Sequence, residues 1–537
     1  MIPYRRATRL LNIIIVCALV CILFFLLQQP HIEEENNEPW KEASHTDLGR
    51  VVAQVREVDD VPGTQLKGNA VDDTEKAAER LNEQLRPPQP AQPPETRDGD
   101  EHSHHESSSE LTRDLLGGWG RDLKKAANVD MNVPVTGRQI VDSVHFLNRE
   151  FSVLNTAKYG PVENVKTVIV IQVHSRLEYL KYLVDTLSKT KGIEETLIVF
   201  SHDVNIEEID DVVRNITFAR VLQIFYPYNI QLFPLVFPGQ DPRDCEEKMK
   251  KDKAEASGCR NWEWPDKYGN YRVARFTQIK HHWWWKMNYV FDGVIERFGL
   301  RDRWVLLLEE DHYVSPDALH VLDYITTHRK ELCAECELIS LGFYLKSYAS
   351  YGLNIDRLGV HPWFSSKHNM GMALRADTWD KVKNCSELFC SWDDYNWDWS
   401  LLQISVKCVP QRFKVIFAKA PRVLHVGDCG VHTHRCAVHN AAEAAAALFS
   451  QHADKLFPSS LKVTEVSRRM LKPSKENGGW GDKRDRELCG RNTHPLREPM
   501  EGEQGFGVLD DLLTSSVAVQ KTMNASLIPY PAVMPRG

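Results

Sequence analysis

The stretch WVLLLEEDHYVSPD (Trp304–Asp317) runs an apolar segment straight into three consecutive carboxylates, Glu309, Glu310 and Asp311. Like charges repel at the end of a buried strand and desolvation adds to the cost, so either the strand surfaces into a solvated turn or the acids hold a cation. Alone, the motif is unspecific, and a turn with Ser315-Pro316-Asp317 starting the next helix is the simpler reading. Other segments shift the balance. CSWDDYNWDWSLL (Cys390–Leu402) sets Asp393, Asp394 and Asp398 among Trp392, Tyr395, Trp397 and Trp399. Such aromatic faces stack on the C–H faces of a sugar, while carboxylates accept hydroxyl protons. RVLHVGDCGVHTHRC (Arg422–Cys436) brings His425, an imidazole able to join a carboxylate in holding a manganese-class ion. QIKHHWWWK (Gln278–Lys286) offers Lys280 and two histidines ahead of three tryptophans, a run equally suited to a buried aromatic face. A divalent ion on a carboxylate neutralises a departing diphosphate, and that is the chemistry this set of residues suits.

These side chains must be positioned by a folded domain, which begins near Thr136. Val165–Val173, Glu195–Phe200, Ala219–Phe225 and Trp304–Leu308 read as strands, and Tyr179–Lys189, Ile206–Val213 and the long Val273–Phe298 as helices. The alternation predicts an α/β domain with a largely parallel sheet, in which ligands bind beyond the carboxyl ends of the strands. Three strands end in polar clusters: Gln172-Val173-His174-Ser175-Arg176, Ser201-His202-Asp203 and Glu309-Glu310-Asp311. Together they outline one site.

The flanking segments indicate compartment. Residues 1–9 carry Arg5, Arg6 and Arg9 without an acid, and Leu10–Leu27 is an uncharged apolar run. A run of about 18 residues is long enough to span a bilayer, and the arginines keep the short N-terminus cytosolic. The expectation is a single-pass type II membrane protein with its bulk in a lumen. Residues 28–135 read as a stem, with PPQPAQPP and the solvated tract around His102, His104 and His105. Residues 136–489 form the catalytic-sized domain, and 490–537 read as a loosely ordered tail. Cys17 and Cys21 lie in the anchor, while the remaining ten of 12 cysteines fall between Cys245 and Cys489, an even number that suits disulfide pairing in an oxidising lumen. A zinc site at Cys333-Ala334-Glu335-Cys336 is the rival reading, without a second pair of ligands at suitable spacing. Asn215, Asn384 and Asn524 stand in glycosylation sequons. The net charge of −8 argues against a general nucleic-acid binder.

The blocks QVHSRLEYL, FPGQDPRDC, QIKHHWWWK, LEEDHY, HNMGMAL, DDYNWDW, HVGDCG and NGGWGD follow one another in this order. On these, from about Val165 to Cys489, the chain resembles the N-acetylglucosaminyltransferase II family. The resemblance does not extend to the stem or tail. It implies a GT-A glycosyltransferase fold, UDP-GlcNAc as donor, Mn2+ as cofactor and an N-glycan acceptor on glycoproteins at the Golgi membrane. The reaction implied is inverting transfer, in β-1,2 linkage, to the α-1,6-arm mannose. Residue by residue, it implies that Gln172, Val173, His174, Ser175 and Arg176 contact the uridine and that Asp203 is a further nucleotide contact. Gln278, Ile279, Lys280, His281 and His282 would line the donor pocket. Asp311 and His425 would hold the metal, with Glu309 and Glu310 shaping the loop. Asp398 would be the catalytic base, with Asn369 and Trp397 near the acceptor. The implied disulfides are Cys245–Cys259, Cys333–Cys336, Cys385–Cys408, Cys390–Cys489 and Cys429–Cys436. In SLGFYLKSYASYG the chain departs from the family, with Tyr348 where an arginine would face the donor and Lys346 nearby. A lysine does not reproduce the bidentate phosphate geometry of an arginine. The alternatives are a related β-1,2-transferase for another mannose and a catalytically silent glycan-binding protein.

Overall fold

The computed structural model describes residues 137–497, apart from 345–346, 428–437, 470 and 474. The expected anchor, the stem, Lys346, Cys429, Cys436 and Asn524 lie outside the described residues.

The strands are β1 (Val153–Leu154), β2 (Thr167–Val173), β3 (Thr196–His202), β4 (Arg220–Phe225), β5 (Trp304–Glu309) and β6 (His312–Val314). They continue as β7 (Leu338–Ser340), β8 (Arg357–Pro362), β9 (Met372–Leu374), β10 (Lys414–Ala418), β11 (Val423–His425) and β12 (Lys462–Val466). The helices that matter here are α1 (Leu177–Ser188), α2 (Glu207–Arg214), α3 (Ala274–Tyr289), α4 (Ala318–Thr327), α5 (Trp397–Lys407) and α6 (Lys483–Asn492).

One sheet has the order β1-β4-β3-β2-β5-β9-β7-β10-β8-β12, and β6 pairs with β11 in a separate ribbon. The block β4-β3-β2-β5 is parallel throughout. Beyond it, β9 runs antiparallel to both β5 and β7, and β8 antiparallel to β10. The sheet is therefore mixed, which corrects the expectation of a largely parallel one. The parallel half holds the strands whose ends carry the polar clusters.

The central strands are buried on both faces, which is why they read as unbroken apolar runs. Alternate residues of β2 separate into two cores, as a period of two requires. Val168 and Val170 pack on the side of Trp283, Trp284 and Trp285 of α3, and Ile169 and Ile171 on the side of α1, α2 and α4. Helix α3 is buried nearly all round, so its aromatic run needs no solvent face. It passes directly into a π-helical turn at Val290–Ile295, so the expected Val273–Phe298 helix is two kinds of helix in series.

Four disulfides form between the cysteines paired by the resemblance: Cys245–Cys259, Cys333–Cys336, Cys385–Cys408 and Cys390–Cys489. Helix α6 continues past Cys489 to Asn492, and Asn492 and Thr493 are buried. The folded part thus reaches beyond the boundary expected at 489. Asn215 and Asn384 are exposed. Among the described residues no helix is long and apolar enough to cross a membrane.

Candidate active site

Parallel pairing sets the carboxyl ends of β3, β2 and β5 side by side, with Gln172 opposite both Ser201 and Glu309. Their side chains then cross-link. His174 Nδ1 lies 2.7 Å from Asp203 Oδ1, and Gln278 Nε2 of α3 donates to Asp203 Oδ2 at 2.8 Å. Burial alone would raise the Asp203 carboxyl, but His174 and His282 outweigh it and bring it down to about 2. Burial likewise opposes charge on His174, yet Asp203 raises that imidazole above its ordinary range. Gln172 Oε1 accepts from Lys286 Nζ at 2.7 Å, so the far end of α3 also reaches the strand ends.

The three acids after β5 have separate tasks. Glu309 is partly exposed, and burial together with the neighbouring Asp311 raises its carboxyl. Glu310 is buried, accepting from His174 N at 2.8 Å and Arg176 Nε at 2.9 Å. Asp311 begins the excursion into the β6–β11 ribbon, whose register places His425 opposite His312. That pairing brings His425 Nε2 to 3.1 Å from Asp311 Oδ2, which Arg176 Nη1 also approaches at 2.7 Å. Burial pushes Asp311 up, but Arg176 and His425 overcome it and hold the carboxyl well below its usual range.

The residues around Asp311 suit a divalent cation. Its Oδ1 is buried without a hydrogen-bond partner among the described residues. A Cβ on Gly427 would sit 2.2 Å from Asp311 Oδ2, so only glycine permits this approach. Glu309, Asp311 and His312 can offer ligand atoms within 4.8 Å of one another. His312, absent from the sequence-based set, is kept neutral by burial at about 4, and its Nδ1 accepts the Glu309 N–H at 3.1 Å. The proton of that tautomer is then on Nε2, which His312 would have to give up to bind a metal there.

Asp398 lies in the first turn of α5, after Asn396 as its N-cap. Its Oδ1 accepts the Trp399 N–H at 2.9 Å and its Oδ2 the Asn369 amide at 3.2 Å. Burial and then the charge of Asp394 push its carboxyl up to about 7, and Glu309 adds to the rise. The influence of Glu309 on both Asp398 and His425 ties this carboxyl electrostatically to the Asp311 region. Trp397 is 9% exposed, its ring face covered by Trp283.

The remaining members of the donor set are placed unequally. Ser175 is exposed and Arg176 and Ile279 are partly exposed, whereas Val173 is buried in the core. Lys280, His281 and His282 are all buried: Lys280 bonds to main-chain carbonyls, His281 to Asp485 at 2.9 Å and His282 to Ser201 at 2.8 Å. Tyr348, at the departure from the family, packs at a tilt toward Tyr351, their centroids 6.4 Å apart and planes 58° from parallel. Lys286 and Gly427 are not among the site residues that the sequence marks. Both stand inside quoted motifs, but their importance depends on side-chain reach and on the space for a Cβ, which one-dimensional patterning does not carry.

A family profile described as N-acetylglucosaminyltransferase II matches residues 141–489. The chain is similar to the protein named alpha-1,6-mannosyl-glycoprotein 2-beta-N-acetylglucosaminyltransferase from Sus scrofa, 42% identical over 64% of this chain and 77% of the relative. Its likeness to the protein of that name from Homo sapiens is 41% over 64% and 77%, and to that from Arabidopsis thaliana 30% over 70% and 86%. A solved mannosyltransferase from Pyrobaculum calidifontis, in complex with GDP-Man and Mn2+, matches at 10% identity over 73% of this chain and 90% of its own, with a TM-score of 0.25. The match across most of the folded domain, at this identity to several relatives, makes the chain a member of the N-acetylglucosaminyltransferase II family.

Proposed function

We propose that the chain transfers N-acetylglucosamine from UDP-GlcNAc, with inversion, in β-1,2 linkage to the α-1,6-arm mannose of N-glycans, on a GT-A fold. The observation that carries the reading is the opposite tuning of two carboxyls in one family-matched domain. Asp398 is lifted to about 7, and Asp311 is held well below the usual carboxylate range. Such a separation supports reading one as a proton acceptor and the other as a charged ligand.

Inversion in one displacement needs a base on the acceptor side and positive charge on the leaving side. Asp398, oriented through Asn369 and the Trp399 N–H, takes the proton of the attacking hydroxyl. On the other side Asp311 and His425 are the residues that would hold Mn2+, which when bound supplies Lewis-acid neutralisation of the departing diphosphate. Arg176, anchored through Glu310, adds a second positive charge next to Asp311. No nucleophilic side chain takes part.

The Golgi lumen is the proposed location, with Leu10–Leu27 as membrane anchor. The four disulfides support an oxidising compartment, and exposed Asn215 and Asn384 are accessible for glycosylation there.

The test is UDP release by the full chain with Mn2+ and trimannosyl acceptors that differ only in the open arm. Turnover confined to the open α-1,6 arm is expected. Turnover on the other arm reassigns the acceptor, and glycan binding without turnover indicates a lectin. Asp398→Asn abolishes transfer and spares UDP binding; substantial residual kcat removes Asp398 from the base role.

A further inference from the structure

Helix α3 touches both halves of the site. On the donor side Gln278 Nε2 holds Asp203 while its Oε1 accepts the Ile230 N–H at 2.6 Å. Two residues later the same helix turns Lys280 toward the loop that leads into α5. Lys280 is fully buried, and its Nζ donates to the carbonyl oxygens of Trp392 at 3.1 Å and Asp394 at 2.9 Å. The ammonium also lies 4.2 Å from the Trp480 ring centroid and 5.0 Å from that of Phe389.

Main-chain carbonyls, not a carboxylate, are what this ammonium bonds to. The Asp394 carboxylate is already engaged: Oδ1 accepts from the Asn396 backbone and amide, Oδ2 from those of Asn477. The Asp394 carbonyl is shared with Ser400 Oγ of α5 at 3.5 Å. Lys280 and the first turns of α5 therefore converge on one oxygen, four residues before Asp398. Burial draws Lys280 down to about 7 against the attraction of Asp394, Asp393 and Asp485, with Arg486 opposing its charge as well.

We propose that Lys280 is a positioning residue for Asp398, acting through the carbonyls of Trp392 and Asp394, and that it makes no contact with the donor. The inference rests on the transferase reading in which Asp398 is the base. Removing the ammonium frees the 392–396 loop and lets the carboxylate drift, and displacement of a reacting group by about 1 Å lowers rate on the order of a hundredfold. The donor side, held through Gln278 and Asp203, is left as it was.

The experiment compares the wild-type full chain with Lys280→Met and Lys280→Gln. Calorimetric titration with UDP and Mn2+ gives the affinity and, through its stoichiometry, the folded fraction, so that kcat is expressed per binding site. The expected result is a fall of roughly a hundredfold in kcat for Lys280→Met, with UDP affinity and donor KM unchanged. Lys280→Gln, which keeps one donor group, falls between it and wild type. Amide hydrogen exchange at 392–398 rises in the same order. Weakened UDP affinity with unchanged kcat per site overturns the proposal in favour of a donor contact, and wild-type values throughout overturn it outright. Failure of the underlying reading looks different: Asp398→Asn then keeps its turnover, while hydrogen exchange at 392–398 still reports whether Lys280 holds the loop.

Discussion

The indole of Trp397 lies flat on that of Trp283, ring centroids 4.3 Å apart and planes 7° from parallel. Trp397 opens α5 and Asp398 follows it, so a core residue of α3 sets where the proposed base stands. With one ring face covered in this way, Trp397 is read as orienting Asp398 through the core. Trp397→Ala should cost about 3–5 kcal/mol of unfolding free energy, the usual range for truncating a buried tryptophan, and should lower kcat. Trp397→Phe keeps a stacked ring and should recover most of both. Urea denaturation and steady-state kinetics check this; a raised acceptor KM in Trp397→Phe at unchanged stability would restore the acceptor-contact reading.

Asp398 should leave its mark on the pH profile. A base works only when ionised, so kcat should rise through about 7, the value to which burial and Asp394 lift this carboxyl, and level off above it. The stability effect has the opposite sign. A carboxyl raised on folding favours the protonated native state, so its contribution falls as pH climbs from the unfolded value near 3.8 to about 7. Asp398→Asn escapes that loss, and its melting temperature should exceed that of wild type increasingly across this interval. Parallel melting curves at all pH values would show that Asp398 is not perturbed in the fold.

A Cβ added at Gly427 would fall 2.9 Å from Cγ of Asp311, the proposed metal carboxylate, as well as against Oδ2. Gly427→Ala must displace the Asp311 carboxylate or the backbone at 427. Disturbing the support of a ligand typically costs ten- to a hundredfold in metal affinity, so Mn2+ should bind about that much more weakly. Calorimetry with Mn2+ alone measures it without turnover, and an unchanged affinity would take Asp311 out of the ligand set.

The legible parts of the fold were those with local causes. Strands β2, β3 and β5 announce themselves as runs of β-branched and aliphatic residues that end in polar clusters, because they are buried on both faces. Strands β7 and β9 have three residues each, too few to show a period, and their antiparallel insertion depends on partners far along the chain. The strongly polar KRDRELCGRN has no apolar period to mark helix α6, whose last three residues fall in the expected tail. Yet Arg484 and Asp485 are buried in ion pairs with Asp244, Asp482 and Arg272, residues brought together from distant segments. The site shows the same division. Local chemistry marked Asp311, His425 and Asp398 as candidates, and the family resemblance assigned their roles. In the run QIKHHWWWK, however, the task of each side chain is decided by what packs across from it: Asp203 for Gln278, two carbonyls for Lys280, Trp397 for Trp283.

The bond between Cys390 and Cys489 closes a loop of 99 residues between the helical turn Ser386–Ser391 and α6. Inside that loop the NGGWGD segment supports the residues ahead of Asp398. Trp480 donates its backbone N–H to Asp393 Oδ1 at 3.0 Å and its indole N–H to the Cys390 carbonyl at 2.8 Å, while Asn477 holds Asp394. Cys489→Ser should therefore do two things at once. Loss of a long-loop disulfide lowers stability by about 2–5 kcal/mol, read as a lower melting temperature. Loosening of the segment under Asp393 and Asp394 should also reduce kcat counted per UDP-binding site, because the support of the proposed base has slackened while the strand ends proposed to hold the nucleotide are untouched. A variant that melts earlier but turns over at the wild-type rate per site would confine the disulfide to stability, and the base would then owe its position to α3 alone.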